Sequence, residues 1–444
     1  MIKVAKFGGS SVANATQFQK VASIVKGDDA RKFIVVSACG KEGEEDHKVT
    51  DLLYLCRAHM KYGVSYEEIF SMIEKKYYDI AETLKVNVDL KSHFDAIREK
   101  MDKNMNVDYL VSRGEYLSGI LMAEYLDGVF IDAADVIAFD FDGQINMEES
   151  KERLLKKLEG VPGEKRVVIP GFYGSLPNGV IKVMSRGGSD ITGAVLAGIL
   201  DADVYENWTD VSGVLVANPT IVKNPKPIDR ISYNELREMS YMGANVLHEE
   251  VIFPVKEKNI PINIRNTNAP EDKGTMIMEN CDKYDEKDPP HFITGITGKQ
   301  NYTVITVIKS HASSEEGFLR RILDVFDKYK IHIESIPASV DCFGFVVAHK
   351  QVESCLYEVC NAIKEKIKAD EIRIATNISL VAVVGRGMAY KPGMSALVFA
   401  EFGKQNINIR MINQGSDEIT IMVGVDDKDY EKAIRCIYER FISA

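Results

Sequence analysis

VAKFGGSSVANATQFQKVASIVKGDDARKFIVVSA, residues 4–38, reads as strand, glycine turn, helix and second strand. Val4 to Phe7 is a short apolar run, and Gly8 and Gly9 break it. Phe18, Val21, Ala22 and Val25 then recur at the spacing of one helix face. Phe33 to Val36 is apolar again, and two strands joined through a helix imply parallel pairing. The pattern continues in Val129 to Ile131, Val167 to Ile169, Ala202 to Asn207 and Ile262 to Arg265, separated by amphipathic stretches. The expected fold is α/β, an open, mostly parallel sheet flanked by helices. Leu52 to Lys103 carries no strand signal and reads as a helical insertion or a lid.

Two glycine loops carry the candidate chemistry. Gly8 and Gly9 let backbone N–H groups approach phosphate oxygens, the helix that follows adds partial positive charge, and Lys6 adds a full one. The pattern is neither GxxxxGK[ST] nor GxGxxG, which excludes a P-loop or dinucleotide fingerprint. A packing-only turn is the alternative. SRGGSD, residues 185–190, lies between strand-like Ile181 to Met184 and a helix over Ile191 to Leu200. Arg186 offers a fork for a carboxylate, and Gly187, Gly188 and Ser189 offer donors. Asp190 either caps the helix or holds Lys6. WTDVSGV, residues 208–214, follows a strand, where ligands meet the carboxyl ends of parallel strands; a hairpin turn is the alternative. Thr50-Asp51 follows the acidic loop Gly40 to Lys48, and SRGE at 112–115 is expected to end one helix before Tyr116 to Tyr125 begins another. Glu115 beside an arginine loop would suit an α-ammonium next to an α-carboxylate, although such tetrads also serve as ordinary caps.

Glu279 to Pro290 combines charge with prolines and is the expected linker. Beyond it, residues 317–340 align without gaps on residues 393–416, an offset of 76, with Gly317/Gly393, Phe326/Phe402, Lys328/Lys404, Ile331/Ile407, Ile333/Ile409 and Ile336/Ile412 in register. Two ferredoxin-like βαββαβ copies are expected, pairing edge to edge over a small-ligand cleft. A duplicated dimerisation module without ligand is the alternative. The expected organisation is a catalytic domain over 1–280, a linker over 281–292, and regulatory copies over 293–375 and 376–444. At 444 residues, 45% of them hydrophobic, the chain is too long for one ordinary domain and can bury substantial cores. A net charge of −11 argues against nucleic acid and anionic membrane as partners. With no signal-peptide pattern or long apolar run, a soluble cytoplasmic protein is expected. The seven cysteines are scattered without zinc spacing, so reduced packing thiols and no all-protein metal site are expected.

KFGGSSV (6–12), VVSA (35–38), TDLL (50–53), SRGE, SRGGSD, WTDVSGV, GANVLH (243–248) and RNTNAPEDKGT (265–275) together resemble the aspartate kinases, in order and spacing across essentially the whole chain. The duplicated tail resembles the paired ACT domains of that family. The resemblance implies an amino-acid-kinase fold, transfer of the γ-phosphoryl of ATP to the side-chain carboxylate of L-aspartate, and magnesium (Mg2+) arriving with ATP. It implies that Lys6, Gly8, Gly9 and Ser10 cradle the ATP phosphates with Ser37 nearby, and that Thr209 and Asp210 touch the nucleotide. Thr50, Glu115, Arg186, Gly187, Gly188 and Ser189 would hold aspartate, Arg186 on its α-carboxylate and Glu115 on its ammonium. Lys6 and Asp190 would be the catalytic pair. Gly317, Leu319, Glu334 and Ser339 match effector-contact positions of lysine-sensitive relatives. That match implies feedback by an amino acid, lysine first and threonine second, in a homodimer or homotetramer joined through the ACT domains. Asn245 stands where a lysine is usual, Leu215 where a tyrosine is frequent, and Thr220 where Asp-Pro-Arg is common. These departures remove two positive charges near the nucleotide and leave three expectations: weaker ATP binding, a shifted pose, or substitution by another basic residue. Two other readings stay open: another amino-acid kinase, or a kinase-like sensor without turnover.

Overall fold

The computed structural model describes residues 1–184, 187–244, 247, 249–281, 292–389 and 391–443. Contacts divide the chain into two compact units. The first comprises Met1–Val214, Pro227–Tyr233 and Val246–Cys281, the second Leu215–Lys226, Asn234–Asn245 and Asp282–Ala444. The segment 281–292, expected as the linker, lies outside the described residues except at its two ends.

The chain opens with β1 (Lys3–Phe7), α1 (Ala15–Lys26), β2 (Arg31–Val36), α2 (Val49–Tyr62), α3 (Glu67–Leu84), α4 (Leu90–Glu99) and α5 (Val107–Tyr125). Then come β3 (Val129–Phe130), α6 (Ala133–Val136), α7 (Met147–Leu158), β4 (Val167–Pro170), β5 (Tyr173–Ser175), β6 (Ile181–Val183), α8 (Gly188–Ile199) and β7 (Val204–Thr209). β8 (Arg230–Ser232), α9 (Tyr233–Tyr241), α10 (Glu249–Lys256), β9 (Ile262–Asn266) and β10 (Thr275–Met278) follow. Eight of these strands form one sheet in the order β3-β4-β2-β1-β7-β9-β10-β8. Every neighbouring pair is parallel except β9 with β10. Phe7 is level with Val36 on one side and Trp208 on the other, so β1, β2 and β7 end together at one edge.

Val4, Ala5 and Phe7 of β1 and Ile34 to Val36 of β2 are fully buried, and on one face of the sheet Ala5, Phe7, Ile34 and Val36 share a core with Phe18, Val21, Ala22 and Val25 of α1. The helical region after Leu52 is a wall of this unit and not a lid: Phe70 and Tyr77 of α3 and Phe94 of α4 share one core with Leu117 and Leu121 of α5. The helix break expected at SRGE is absent, because α5 runs unbroken from Val107 to Tyr125. Gly114 serves packing there, since a Cβ on it would lie 2.7 Å from Ala38 Cβ.

The second unit takes two segments out of the span 1–280. Ile296 N donates to Val216 O at 2.7 Å, and Arg435 Nε donates to Ile221 O at 2.9 Å. Glu235, fully buried in α9, accepts from Thr294 Oγ1 at 2.6 Å and from an Arg386 guanidinium nitrogen at 2.9 Å. The tail is one six-stranded sheet made of β11 (Gly295–Ile308), β12 (Ile333–Ser335), β13 (Cys342–Ala348), β14 (Glu371–Val384), β15 (Met411–Gln414) and β16 (Thr420–Asp426). Helices α11 (Phe318–Lys328), α12 (Leu356–Ile367), α13 (Met394–Lys404) and α14 (Tyr430–Tyr438) complete it. The repeat extends to the backbone: Asn301 and Asn377, Gly317 and Gly393, and Lys330 and Asn406 all take positive φ at matching positions.

The copies do not simply follow one another. The second half of β11 pairs with the first half of β14, Ile308 opposite Glu371 and Val304 opposite Ala375. After a register shift, the first half of β11 pairs with the second half of β14, Gly295 opposite Val384 and Lys299 opposite Leu380. Residues 295–299 thereby lie beside the lone strand that opens the second copy, so the first copy is inserted within the second. The division expected at 375/376 therefore cuts a strand shared by both copies.

Candidate active site

A cleft of about 1010 Å³ opens where β1, β2 and β7 end. Lys6, Gly8, Gly9, Ser10, Ser37, Thr50, Glu115, Gly187, Gly188, Ser189, Asp190, Thr209 and Asp210 all line it. Arg186 lies outside the described residues.

Lys6 is buried on β1, and its Nζ sits 2.5 Å from Asp190 Oδ1 in the first turn of α8. Asn207, paired in register with Lys6 on β7, donates to the same carboxylate oxygen at 2.9 Å and accepts from Lys6 Nζ at 3.4 Å. The ammonium is thereby fixed beside Gly8, where a Cβ would come within 3.5 Å of it. Gly187, with φ +78, occupies the N-cap position of α8, and Asp190 is turned toward Lys6. The lysine-holding alternative for Asp190 is therefore the one the geometry shows.

The glycine turn is braced through its backbone. Gly8 N donates to Trp208 O at 3.0 Å, and Gly40 N donates to Gly9 O at 2.9 Å. A Cβ on Gly40 would lie 2.6 Å from the Gly9 carbonyl carbon, so only glycine permits this approach. Beneath the turn, Trp208 stacks on Phe7 with ring centroids 5.9 Å apart, and the Arg265 guanidinium lies 4.6 Å from the indole. Trp208 Nε1 donates to Glu206, whose carboxylate also takes Arg31 at 2.7 Å. Thr209 and Asp210 lie at the rim, with Asp210 exposed.

On the opposite wall α5 presents Glu115. Its neighbour Arg113 is stacked among Tyr109, Tyr116 and Tyr173, 4.6, 4.4 and 5.2 Å from their rings, and so serves packing. Glu115 Oε2 is buried with no hydrogen-bond partner. Burial pushes its carboxyl up to about 8, against backbone N–H groups and Arg113 that act to lower it. An orphaned carboxylate oxygen facing a cleft asks for a cationic partner.

Sequence reading did not single out Asn207, which holds Asp190, or Gly40, Lys41, Lys48, Tyr54, Phe172 and Met184, which line the cleft. The polar pair Glu206-Asn207 inside the strand VYENWT was the available signal for Asn207. Leu215 and Thr220, two of the three departures, fall in the second unit, where Thr220 bonds the Asn218 side chain; Asn245 lies outside the described residues.

Of the expected effector residues, Gly317 with φ +69 opens α11, and Leu319 is exposed. Ser339 N donates to Cys342 O. The Glu334 side chain is buried and already faces an ammonium, Lys299 Nζ at 2.7 Å, with Tyr302 Oη at 3.3 Å. Among the described residues, no group of three or more His, Cys, Asp or Glu could hold a metal ion, and no helix is long and apolar enough to cross a membrane.

The model of the amino acid kinase family matches residues 1–266, and an ACT domain model matches residues 381–441. Aspartokinase 3 of Bacillus subtilis is 34% identical over 462 residues, covering 100% of this chain and 99% of its own length. The crystal structure of Clostridium acetobutylicum aspartate kinase is 45% identical and superposes with a TM-score of 0.91, covering 99% of each chain. Aspartokinase III of E. coli shares the fold at 24% identity over 99% of each chain. Its complex with aspartate and ADP (R-state) gives a TM-score of 0.73, and its complex with lysine and aspartate (T-state) gives 0.75. An amino-acid-kinase domain with an orphaned glutamate facing its cleft, an ACT-type tail and these full-length likenesses lead to one conclusion: the chain belongs to the aspartate kinases, phosphotransferases whose acceptor is the side-chain carboxylate of aspartate.

Proposed function

We propose that the cleft binds L-aspartate against Glu115, Thr50 and the Gly187 to Ser189 turn, with ATP laid over Gly8, Gly9, Ser10, Ser37, Thr209 and Asp210. The single observation that carries this reading is the buried, unpartnered Oε2 of Glu115, an acceptor for the substrate ammonium in the same cleft as the Lys6–Asp190 pair. Arg186 would take the α-carboxylate. The acceptor carboxylate is already ionised at neutral pH, so no general base is needed. One of its oxygens attacks the γ-phosphorus, the bond from phosphorus to the β,γ-bridging oxygen breaks, and the electron pair departs with ADP. Lys6, held by Asp190 and Asn207, stabilises charge on the transferring group, and the backbone N–H groups of the glycine turn hold the phosphates. Magnesium would be carried in on the phosphates, with Asp210 at the rim as the carboxylate that would hold one coordination position. When bound, that ion neutralises phosphate charge.

Trapping the acyl phosphate with hydroxylamine tests the assignment. Glu115→Gln should raise the KM for aspartate roughly 10- to 100-fold, the range of one charged hydrogen bond, and leave the KM for ATP unchanged. An unaltered aspartate KM would sink it.

The tail would sense an amino acid, lysine first and threonine second, within a cytoplasmic homodimer or homotetramer joined through its ACT domains. Glu334 would exchange the Lys299 ammonium for that of the effector, near Gly317, Leu319 and Ser339. E. coli aspartokinase III in complex with lysine supports lysine as the first ligand to try. Calorimetry showing no heat with lysine or threonine, together with rates indifferent to both, removes this part.

A further inference from the structure

The loop Gly40–Lys48 has no role in the mechanism above, yet it is built with care. Val49 N closes its base on Cys39 O at 3.0 Å. Its charged side chains are sorted: Lys41 and Lys48 line the cleft, whereas Glu42 accepts from Asn14 Nδ2 at 2.7 Å and Asp46 turns inward. Asp46 takes His47 N on one oxygen, and Glu42 N and Lys76 Nζ on the other, at 2.7, 2.7 and 2.6 Å. The same Lys76 ammonium, half-buried on α3, donates to Gly40 O at 2.7 Å, and Gly40 in turn holds Gly9 of the glycine turn. Burial alone would raise the Asp46 carboxyl, but Lys76 and the two backbone donors hold it below its ordinary value.

Charge in the cleft shows what this arrangement is for. Asp51, Asp190 and Asp210 bring carboxylates to it, Glu115 is largely neutral before an ammonium arrives, and Lys6 is matched by Asp190. Among the described lining residues the other cations are Lys41 and Lys48. A triphosphate entering without them would meet a net acidic wall.

We infer that Lys41 and Lys48 contact the phosphates of the bound nucleotide, and that Lys76 is the positioning residue that holds their loop over the cleft. The inference rests on the reading that ATP binds beside aspartate here. It supplies cations in a chain that carries Asn245 where a lysine is usual.

Magnesium-ATP affinity, read by titration calorimetry on the full chain, tests it independently of turnover, with hydroxamate formation measured in parallel. Lys41→Met and Lys48→Met should each weaken nucleotide binding about tenfold, the effect of one charged contact, with the KM for aspartate little changed. Lys76→Met and Asp46→Asn should reproduce part of that loss. In the Lys41→Met/Lys48→Met background, Lys76→Met should keep only the small part of its effect that passes through Gly40 to the glycine turn, since the rest acts through those lysines. A merely structural Lys76 would instead lower the melting temperature and reduce ATP affinity equally in both backgrounds. The inference is overturned by that additivity, or by a Lys41→Met/Lys48→Met variant that binds ATP within twofold of the parent. If the parent binds ATP but gives no aspartate-dependent hydroxamate, the site reading fails while the lysine roles stand or fall on the affinities alone.

Discussion

Glu115 is the residue whose ionisation the substrate must change. With its carboxyl near 8 in the empty cleft, it is largely neutral at pH 7, and an arriving ammonium favours the ionised form. Aspartate binding should therefore release a proton, and the KM for aspartate should fall as pH rises from about 6.5 toward 8.5 and then level off. Calorimetry in buffers of different ionisation enthalpy reads the proton directly. The same shift sets a stability window. A carboxyl raised from its ordinary value of 4.5 to about 8 favours the folded state fully below the lower value, and that contribution is lost as pH rises through the upper one. The melting temperature of the ligand-free parent should thus fall across this window more steeply than that of Glu115→Gln. At Lys6, replacement by Met should lower kcat on the order of 10²-fold or more, with aspartate affinity kept, because it removes charge where charge develops. Residues of this kind were legible because their types and spacings are dictated by chemistry. Asn207 was not: what places it in the site is a strand register opposite Lys6, which no local pattern encodes.

The helices show how packing overrides local preference. SRGE looked like a helix break because glycine disfavours helix by about 1 kcal/mol. α5 passes through it intact because Gly114 lets the helix lie against Ala38 and Val49. Gly114→Ala should therefore destabilise the catalytic unit by about 1–3 kcal/mol in chemical denaturation, the range for overpacked cores, and raise the aspartate KM by displacing Glu115. Adding Ala38→Gly should recover both, since the Cβ facing the new methyl is then gone. α3 was legible as helix, but its task was not. Lys76 and Tyr77 are adjacent, yet one side chain reaches Gly40 and Asp46 while the other donates to Gly114 O at 2.7 Å. The helix thus buttresses both walls of the cleft from outside, a role visible only once the loop and α5 are in place.

Across the whole chain, the mostly parallel sheet of the catalytic unit followed from alternating strand and helix signals, though its strand order did not, and the duplication of the tail followed from its self-similarity. What escaped was where the units part. Asn234–Asn245 sits in sequence among kinase elements, but its Glu235 is neutralised by Arg386 in the tail. Arg386→Ala should destabilise the second unit on the order of 3 kcal/mol, because a fully buried carboxylate loses a cation, and differential scanning calorimetry would show it. The interleaving of the two copies escaped as well, because a repeat search matches like with like and the shared strands belong to neither copy alone. Their pairing has a consequence for biosynthesis. Residues 295–299 leave the ribosome well before Leu380–Val384, the strand half they must join, so during translation an unpaired strand edge waits for its mate while the inserted copy emerges and folds. A stalled or prematurely terminated chain ending before Val384 would present that edge to other nascent chains, which makes full-length synthesis a condition for keeping this protein out of aggregates.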